Sequence, residues 1–405
     1  MDKLSVDVCV VGGGPAGMTL GLELARRGCD VVVVEQTGHF NRSFRGETIS
    51  PDAVSLLARL GILESITAAG ALVNRKMKLT EHGRTLLEVD FDDFPHRHRH
   101  PLDVPQPTLL AILEQEADRH TGFALLRNTS AIGLVESDGA VVGIRSRGPA
   151  GEQEIRARLT VGADGRYSKV LEMSGLRYRR TPLERDVVWL KLPAPPDWTS
   201  DTYHIRIAGG RHGLFIPTYP DLVRIGFNIP KGGLQTLRRA GLTGLHTRLD
   251  ELAPELGDLV RGSIQSWSDT SVLDIFTSVV PQWSRPGLLL IGDAAHTLSP
   301  ILGQGVSHAL FDAMTLAPLL SEVLSKGRDE VTMAARQFQR IREPSVRRSR
   351  SLQLQQERMF TFSDPLRVLL RSTFYRSLNR NPWLKRRLLN NAFFQLQQSA
   401  GSSVT

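Results

Sequence analysis

Three short fragments of this chain hold residues whose types and spacing can do chemistry. They are Gly12-Gly13-Gly14-Pro15-Ala16-Gly17, Gly162-Ala163-Asp164-Gly165, and Gly292-Asp293-Ala294-Ala295-His296 running on to Pro300, Gly303-Gln304-Gly305 and Val306. In the first, Gly12, Gly14 and Gly17 have the GxGxxG spacing, directly after an apolar run and at a helix start formed by Pro15 and Ala16. The first glycine permits a tight turn, the second lets backbone approach a pyrophosphate, and the third lets helix pack closely on strand. The helix N-terminus then offers free N–H groups and a partial positive charge to an anion. Glu35, followed by Gln36, closes the next apolar run and is placed to accept hydrogen bonds from a ribose. Asp164-Gly165 alone reads as an Asp-Gly turn. In the third fragment Asp293 ends a buried-type strand, where its carboxylate can take hydrogen bonds from a sugar-like chain. The turn from Pro300 to Gly305 opens a helix whose N–H groups can stabilise negative charge on an electron-rich ring edge. Taken in this order, the three fragments describe one long dinucleotide, FAD.

The elements that must position these residues can be read from the same sequence. Residues 5–35 read as strand, glycine turn, helix and strand, the start of a βαβ unit whose uniformly apolar strands suit a parallel sheet buried on both faces. A helix follows Pro51 and ends at Gly61, and another runs from about 106 to 120. Strand-like segments at 133–147 and 153–161 lead to the second fragment. Residues 187–190, 203–207 and 223–229 alternate as short strands with Pro and Gly between them, the pattern of an antiparallel sheet. Residues 288–291 return to the buried parallel type, and from about 315 the chain reads as helix. The expected fold is α/β: a Rossmann-like FAD-binding domain of 1–71, 100–180 and 276–340, an inserted antiparallel substrate-binding sheet of 72–99 and 181–275, and a helical segment of 341–405.

The chain has 405 residues, 41% of them apolar, enough for a large core. Its net charge is +8, but residues 340–390 carry 13 Lys/Arg against 3 Asp/Glu, so the remainder stands at −2. The basicity therefore belongs to the C-terminal segment. Arg347, Arg348, Arg350, Arg367, Arg371, Arg376, Arg380 and 385–387 are mixed there with Phe360, Phe362, Phe374, Trp383, Phe393 and Phe394. Packed helices with a solvated arginine face are the expectation, and peripheral contact with an anionic membrane is the alternative. No nucleic-acid recognition motif accompanies the charge. Cys9 and Cys29 are the only cysteines, with no metal-ligand spacing, which fits a reducing, cytoplasmic setting. No signal peptide and no apolar run of spanning length is expected.

In these motifs, over nearly its whole length, the chain resembles the class A flavoprotein monooxygenases built like para-hydroxybenzoate hydroxylase. The resemblance implies that Gly12, Gly14, Gly17 and Glu35 hold ADP and that Arg45 contacts the cofactor. It further implies that Gln106 lies near the ribityl chain and that Asp164 belongs to a DG motif touching both FAD and the passing NAD(P)H. Asp293, Pro300, Gly303 and Gly305 would hold the ribityl chain and ring, with Pro300 nearest the ring. The implied reaction reduces the flavin with NAD(P)H, adds O₂ to give a C4a-hydroperoxide, and passes its distal oxygen to an activated, aromatic or polycyclic carbon by hydroxylation or epoxidation, as in secondary metabolism. This chemistry is centred on the flavin, so no dedicated catalytic residue is assigned. The chain departs from the family pattern at Leu171, where the family has arginine, and at Val306-Ser307, where it has Met-Asn.

Three other readings are weighed against this one. Gly46-Glu47-Thr48-Ile49-Ser50-Pro51 looks like a segment of flavin-dependent halogenases, with Lys76 about where they keep a lysine, although no WxWxIP is present. A prenyl-lipid reductase would share the fold and not need O₂. A non-catalytic flavin-fold scaffold would not need the complete three-part site. Candidate substrate-lining residues are Trp189, Tyr203, Phe215, Tyr219 and Phe227 on the inserted sheet, each of which also suits an ordinary sheet core. The run His96-Arg97-His98-Arg99-His100 reads as a solvated loop or a cationic lid.

Overall fold

The structure is a computed structural model that describes residues 3–40 and 46–394. Arg45, expected to contact the cofactor, and the polar tail after Gln397 lie outside the described residues.

The first sheet places the three fragments side by side. Its order is Ser284–Arg285, Leu288–Leu290, Gly151–Gly162, Lys3–Val11, Val31–Val34, Phe123–Leu126. The five strands from Leu288–Leu290 to Phe123–Leu126 pair in parallel. Val31–Val34 is four valines, all buried, because β-branched side chains suit a strand covered on both faces. The glycine turn, the DG turn and the GD turn therefore all leave the carboxyl ends of adjacent strands. The helices Pro15–Ala25, Gln106–Ala117 and Gly305–Ser321 pack together with these strands in one large core.

The second sheet has the order Thr270–Leu273, Arg185–Pro193, Leu222–Pro230, Arg211–Thr218, Thr202–Ala208, Lys76–Glu81, Arg84–Asp90. It is antiparallel except at one join: Thr202–Ala208 runs parallel to Lys76–Glu81. That join lets a hairpin from early in the chain extend a sheet built mostly from residues after 184. The rear face carries Val188, Leu190, Phe215, Ile225 and Phe227 and is covered by the helices Gly241–Leu252 and Gly257–Ser263. On the front face Met77, Leu79, Ile205 and Ile207 meet Ile301 and the C-terminal side chains Phe360, Tyr375 and Leu378.

The C-terminal segment is three helices, Arg328–Phe360, Pro365–Arg380 and Pro382–Phe393. Asp364 and Asn381 cap the last two through the N–H groups of Arg367 (3.1 Å) and Leu384 (3.0 Å). The expected solvated arginine face is only partly present. Arg371 is 2% exposed, bonded to Glu81 and to the Met359 carbonyl (3.0 Å), and Ser372 also bonds Glu81. The His/Arg loop is fastened too. His96 stacks on Phe394 (4.2 Å between centroids) and bonds Asn390 (3.1 Å), while Arg99 and His100 both bond Asp92.

Candidate active site

Backbone geometry explains the glycine turn. Gly12 has φ 111°, and a Cβ there would lie 2.5 Å from the Ala163 carbonyl oxygen of the DG turn. A Cβ on Gly17 would lie 1.9 Å from the Gly12 oxygen, so strand and helix approach only because neither residue has a side chain. Gly14 is the N-cap of the helix Pro15–Ala25, with Pro15 in its first turn. No side chain caps that turn and no acid lies within it. Its outward N–H groups need an acceptor from elsewhere. Glu35, 1% exposed, holds the turn in shape: its carboxylate accepts from the N–H of Gly13 (2.8 Å) and of Thr37 (3.0 Å). Gln36, the next residue, is exposed.

The DG turn is self-contained. The Asp164 carboxylate accepts from the Ser168 hydroxyl (2.5 Å) and the Val170 N–H (3.0 Å), capping the short helix Lys169–Ser174. Burial raises its pKa despite these bonds. Leu171, in the place of the family's arginine, is buried at 4% and presents no charge.

The GD turn sits against the first helix: a Cβ on Gly292 would come 3.3 Å from the Ala16 Cβ. Asp293 is half-buried at the start of a short helix. Pro300 begins a 3-10 turn, Gly303 leaves it with φ 62°, and Gly305 starts the helix Gly305–Ser321, which also lacks a side-chain cap. Beyond its chain neighbours and its own helix backbone, no described residue comes within 4 Å of a Cβ built on Gly305. Gln304 points elsewhere, donating to the Ala392 carbonyl (3.1 Å) and accepting from Gln353 (3.0 Å). Val306 is buried against Gly46, and the buried Gln106 also reaches it, its amide nitrogen donating to the Gly46 carbonyl at 3.4 Å. The altered Ser307 accepts the Ser50 N–H (3.1 Å) and so fixes the start of the helix Pro51–Arg59.

A buried polar network behind the GD turn is not evident from the motifs. Asp312 is 0% exposed and accepts from Gly292 N–H (2.7 Å), His296 Nε2 (2.7 Å) and Arg342 Nε (2.7 Å). Arg342 continues to His308 (3.0 Å), which reaches Ser349 (3.0 Å). Burial pushes Asp312 up, and His296 and Arg342 more than reverse this, leaving its carboxyl well below the usual range. One available signal is that Asp312 is the lone acid inside an otherwise apolar helix. A second network joins the segment after residue 45 to the second sheet. Glu47 pairs with Lys191 (3.0 Å) and Arg224 (3.4 Å), and Arg224 also pairs with Asp103 (2.8 Å). Here the signal is a single arginine in the apolar strand Leu222–Pro230.

Between the second sheet and the Pro300–Leu302 turn lies a crevice walled by Val187, Trp189, Leu214, Gly226, Pro300 and Ile301. It holds about 20 Å³ of free space, about enough for one water. Of the five candidate aromatics, Trp189 lines this crevice. Tyr203 is on the same face of the sheet, packed with the Met77 and Ile301 cluster. Phe215 and Phe227 are not there: alternation turns both to the rear face, under the helices. Tyr219 is 45% exposed in the turn after Arg211–Thr218, against Gly70. Lys76 is also misplaced for the chemistry once considered for it. It is exposed and paired loosely with Asp90 (3.9 Å), on the opposite face from Met77 and Leu79.

Two adjacent helix N-termini without side-chain caps, a glycine on which a Cβ would meet no described residue beyond its neighbours and helix backbone, and an acid bonded to the turn between them fit a dinucleotide that ends in a ring. The comparisons agree. Residues 5–344 match the model of the FAD-binding domain family, and the chain belongs to that family. It is an FAD-dependent monooxygenase by relationship. It is 37% identical over 382 residues to 6-methylpretetramide 4-monooxygenase of Streptomyces rimosus, covering 94% of this chain and 90% of that one. Among solved structures, PqsL of P. aeruginosa in complex with 2-aminobenzoylacetate has TM-score 0.79 at 22% identity, covering 90% of this chain and 98% of that one. The flavin-dependent brominase Bmp2 also has TM-score 0.79, at 19% identity, covering 95% and 92%. Fold alone therefore does not separate oxygenation from halogenation.

Proposed function

We propose that this chain hydroxylates a polycyclic aromatic small molecule of secondary metabolism, taking electrons from NAD(P)H and the oxygen atom from O₂. The observation that carries the reading is the meeting of all three glycine fragments at the carboxyl ends of adjacent parallel strands, beside a crevice walled by Trp189 and Pro300. The 37% identity to a monooxygenase named for a polycyclic substrate supports the substrate class. Bound here, FAD supplies acceptance of two electrons and activation of O₂ for transfer of one oxygen.

The chain's own residues supply position and charge. N–H groups of the Pro15–Ala25 helix, approached across Gly12, Gly14 and Gly17, hold the pyrophosphate, with Pro15 and Ala16 forming the first turn. Glu35 and Gln36 face the ribose. Gln106, Gly292 and Asp293 would hold the middle of the cofactor, with Asp164 offering its backbone there because its carboxylate is bonded inward. Pro300 to Val306 present the second helix N-terminus to the ring edge, where it favours negative charge on the reduced form. Trp189 and Tyr203 receive the substrate from the sheet. The halogenase reading loses its lysine, because Lys76 faces away from this crevice.

The test is oxygen consumption by the FAD-loaded enzyme with NADPH or NADH against a panel of hydroxylated anthraquinones and naphthacenes. Substrate-dependent uptake with one added hydroxyl is expected. A halogenated product with bromide, or turnover without O₂, would remove the reading.

Two finer features belong to the same proposal. Cys9 and Cys29 are both buried and free, which supports work in the reducing cytoplasm. No described helix is long and apolar enough to cross a membrane. The C-terminal helices nevertheless expose Leu366, Leu369, Leu370 and Phe374 on one and Trp383 on the next, among arginines. This face is proposed to rest on anionic lipid. Sedimentation with phosphatidylserine vesicles that is unchanged in L369E/L370E would exclude it.

A further inference from the structure

Apart from Trp189, the polar side chains that line the crevice have no role so far. With Trp189 and Arg185 from the strand Arg185–Pro193, they are His212 from the strand Arg211–Thr218 and Glu357 from the long C-terminal helix. Two of these side chains are more than nine-tenths buried and hold a nitrogen without a partner: Trp189 Nε1, at 7% exposure, and His212 Nδ1, at 5%. Buried polar groups are normally satisfied, and leaving one unpaired costs about 1–3 kcal/mol. A ligand bound in this crevice, beside the Pro300 turn, would complete the bonding of both orphans.

Glu357 is the acidic member of the set. Ser299 donates its hydroxyl to the Glu357 carboxylate and accepts the Ile301 N–H (3.3 Å) through the same oxygen. The carboxylate is thus tied through one side chain to the turn that carries Pro300. His212 cannot share its charge state. Burial, with Arg185 and Arg371 adding to it, pushes the imidazole down to about 3, so it stays neutral. Burial raises the Glu357 carboxyl, against the Ser299 bond and Arg185.

We propose that Glu357 accepts a hydrogen bond from a phenolic or enolic hydroxyl of the substrate, while His212 and the Trp189 indole N–H bond two further oxygens of the same molecule. This rests on the hydroxylase reading above and narrows its substrate to a ring system with an acidic hydroxyl beside other oxygen functions. Glu357 orients the ring against the Pro300 turn. The C-terminal helix thereby contributes a residue to the site, although its sequence has the look of a solvated surface helix.

The experiment measures binding, by the change in the flavin visible spectrum of the FAD-loaded enzyme, for each panel phenol and its O-methyl ether. Wild type is expected to bind the phenol more tightly than the ether. E357Q is expected to weaken the phenol by about ten- to a hundredfold, to leave the ether unchanged, and so to abolish the preference. E357D is expected to restore part of it. FAD content and melting temperature of E357Q report whether the variant is folded, and if it is not, E357D against wild type carries the comparison. W189F is expected to weaken phenol and ether alike. An undiminished preference for the phenol in E357Q overturns the inference while the hydroxylase reading stands. Wild type that binds and oxygenates only compounds without a hydroxyl also overturns it, and wild type that oxygenates nothing in the panel removes both.

Discussion

Gly305→Ala separates a residue required by the cofactor from one required by the fold. Gly305 is the first residue of the helix Gly305–Ser321, its φ is ordinary, and beyond its chain neighbours and its own helix backbone no described residue lies within 4 Å of the added methyl. Alanine gains about 0.5–1 kcal/mol over glycine in a helix, so the melting temperature of the apoprotein should hold steady or rise by about 2 °C or less. In the proposed binding mode, however, the methyl would stand where the ring edge approaches the uncapped N–H groups. Losing one charge-assisted hydrogen bond there costs about 1.5–3 kcal/mol, or roughly ten- to a hundredfold in affinity for FAD. The assay is reconstitution of apoprotein with FAD, followed by flavin fluorescence, alongside thermal melts without cofactor. Gly17→Ala is the contrast: its Cβ would sit 1.9 Å from the Gly12 oxygen, so the apoprotein itself should be destabilised. If G305A binds FAD like wild type, or if its apoprotein melts much lower, the ring edge does not lie on this helix.

Arg342→Met leaves the buried Asp312 carboxylate without its cation and should cost about 3–5 kcal/mol in thermal or urea unfolding, with R342M/D312N recovering part of the loss. Gly226→Ala drives a methyl to within 2.6 Å of the Trp189 ring, so substrate affinity should collapse at unchanged FAD content, read by spectral titration. Phe227→Leu, on the rear face, should cost about 1 kcal/mol of stability and leave KM unchanged. His212 is neutral when folded, with its pKa pushed down to about 3, so between pH 6.5 and 3 the unfolded chain binds the extra proton. Its stabilising contribution is present above about pH 6.5 and declines as pH falls, by about 1.4 kcal/mol per unit. His212→Gln should therefore flatten the acid side of the stability profile by that slope.

The parts of the site made of backbone were legible in the sequence. Gly12 and Gly17 must be glycine for strand, turn and helix to touch, and such steric demands show as fixed spacing. Asp164-Gly165 reads by itself as a turn, and its role toward the cofactor comes only from the family resemblance; its carboxylate is turned inward, onto the start of a helix. The inserted sheet was legible as strands but not as faces. Its strands are apolar on both sides because both sides are covered, so alternation could not tell Trp189 from Phe215 or Phe227. Glu357 was invisible for the opposite reason. It is one of four acids in a polar helix of 33 residues, and nothing local marks it as the one brought back under the sheet. Arg371 and Glu81, 290 positions apart, make the same point for the tail.

The pairing of distant segments also sets the order in which the protein can be made. Lys3–Val11 has Val31–Val34 on one edge but waits for Gly151–Gly162 on the other, and Gly151–Gly162 in turn waits for Leu288–Leu290. On a ribosome the first strand must wait through roughly 150 residues of synthesis with one edge unsatisfied, a situation that favours late, cooperative closure and exposure to aggregation. The second helix N-terminus emerges at residue 305 and the last wall of the crevice at residue 357. A nascent chain therefore cannot offer FAD both helix N-termini until residue 305 has emerged. Expression at low temperature with riboflavin supplied late should raise the loaded fraction more than early supply does, and tags belong at the start of the chain, away from the helices that close it.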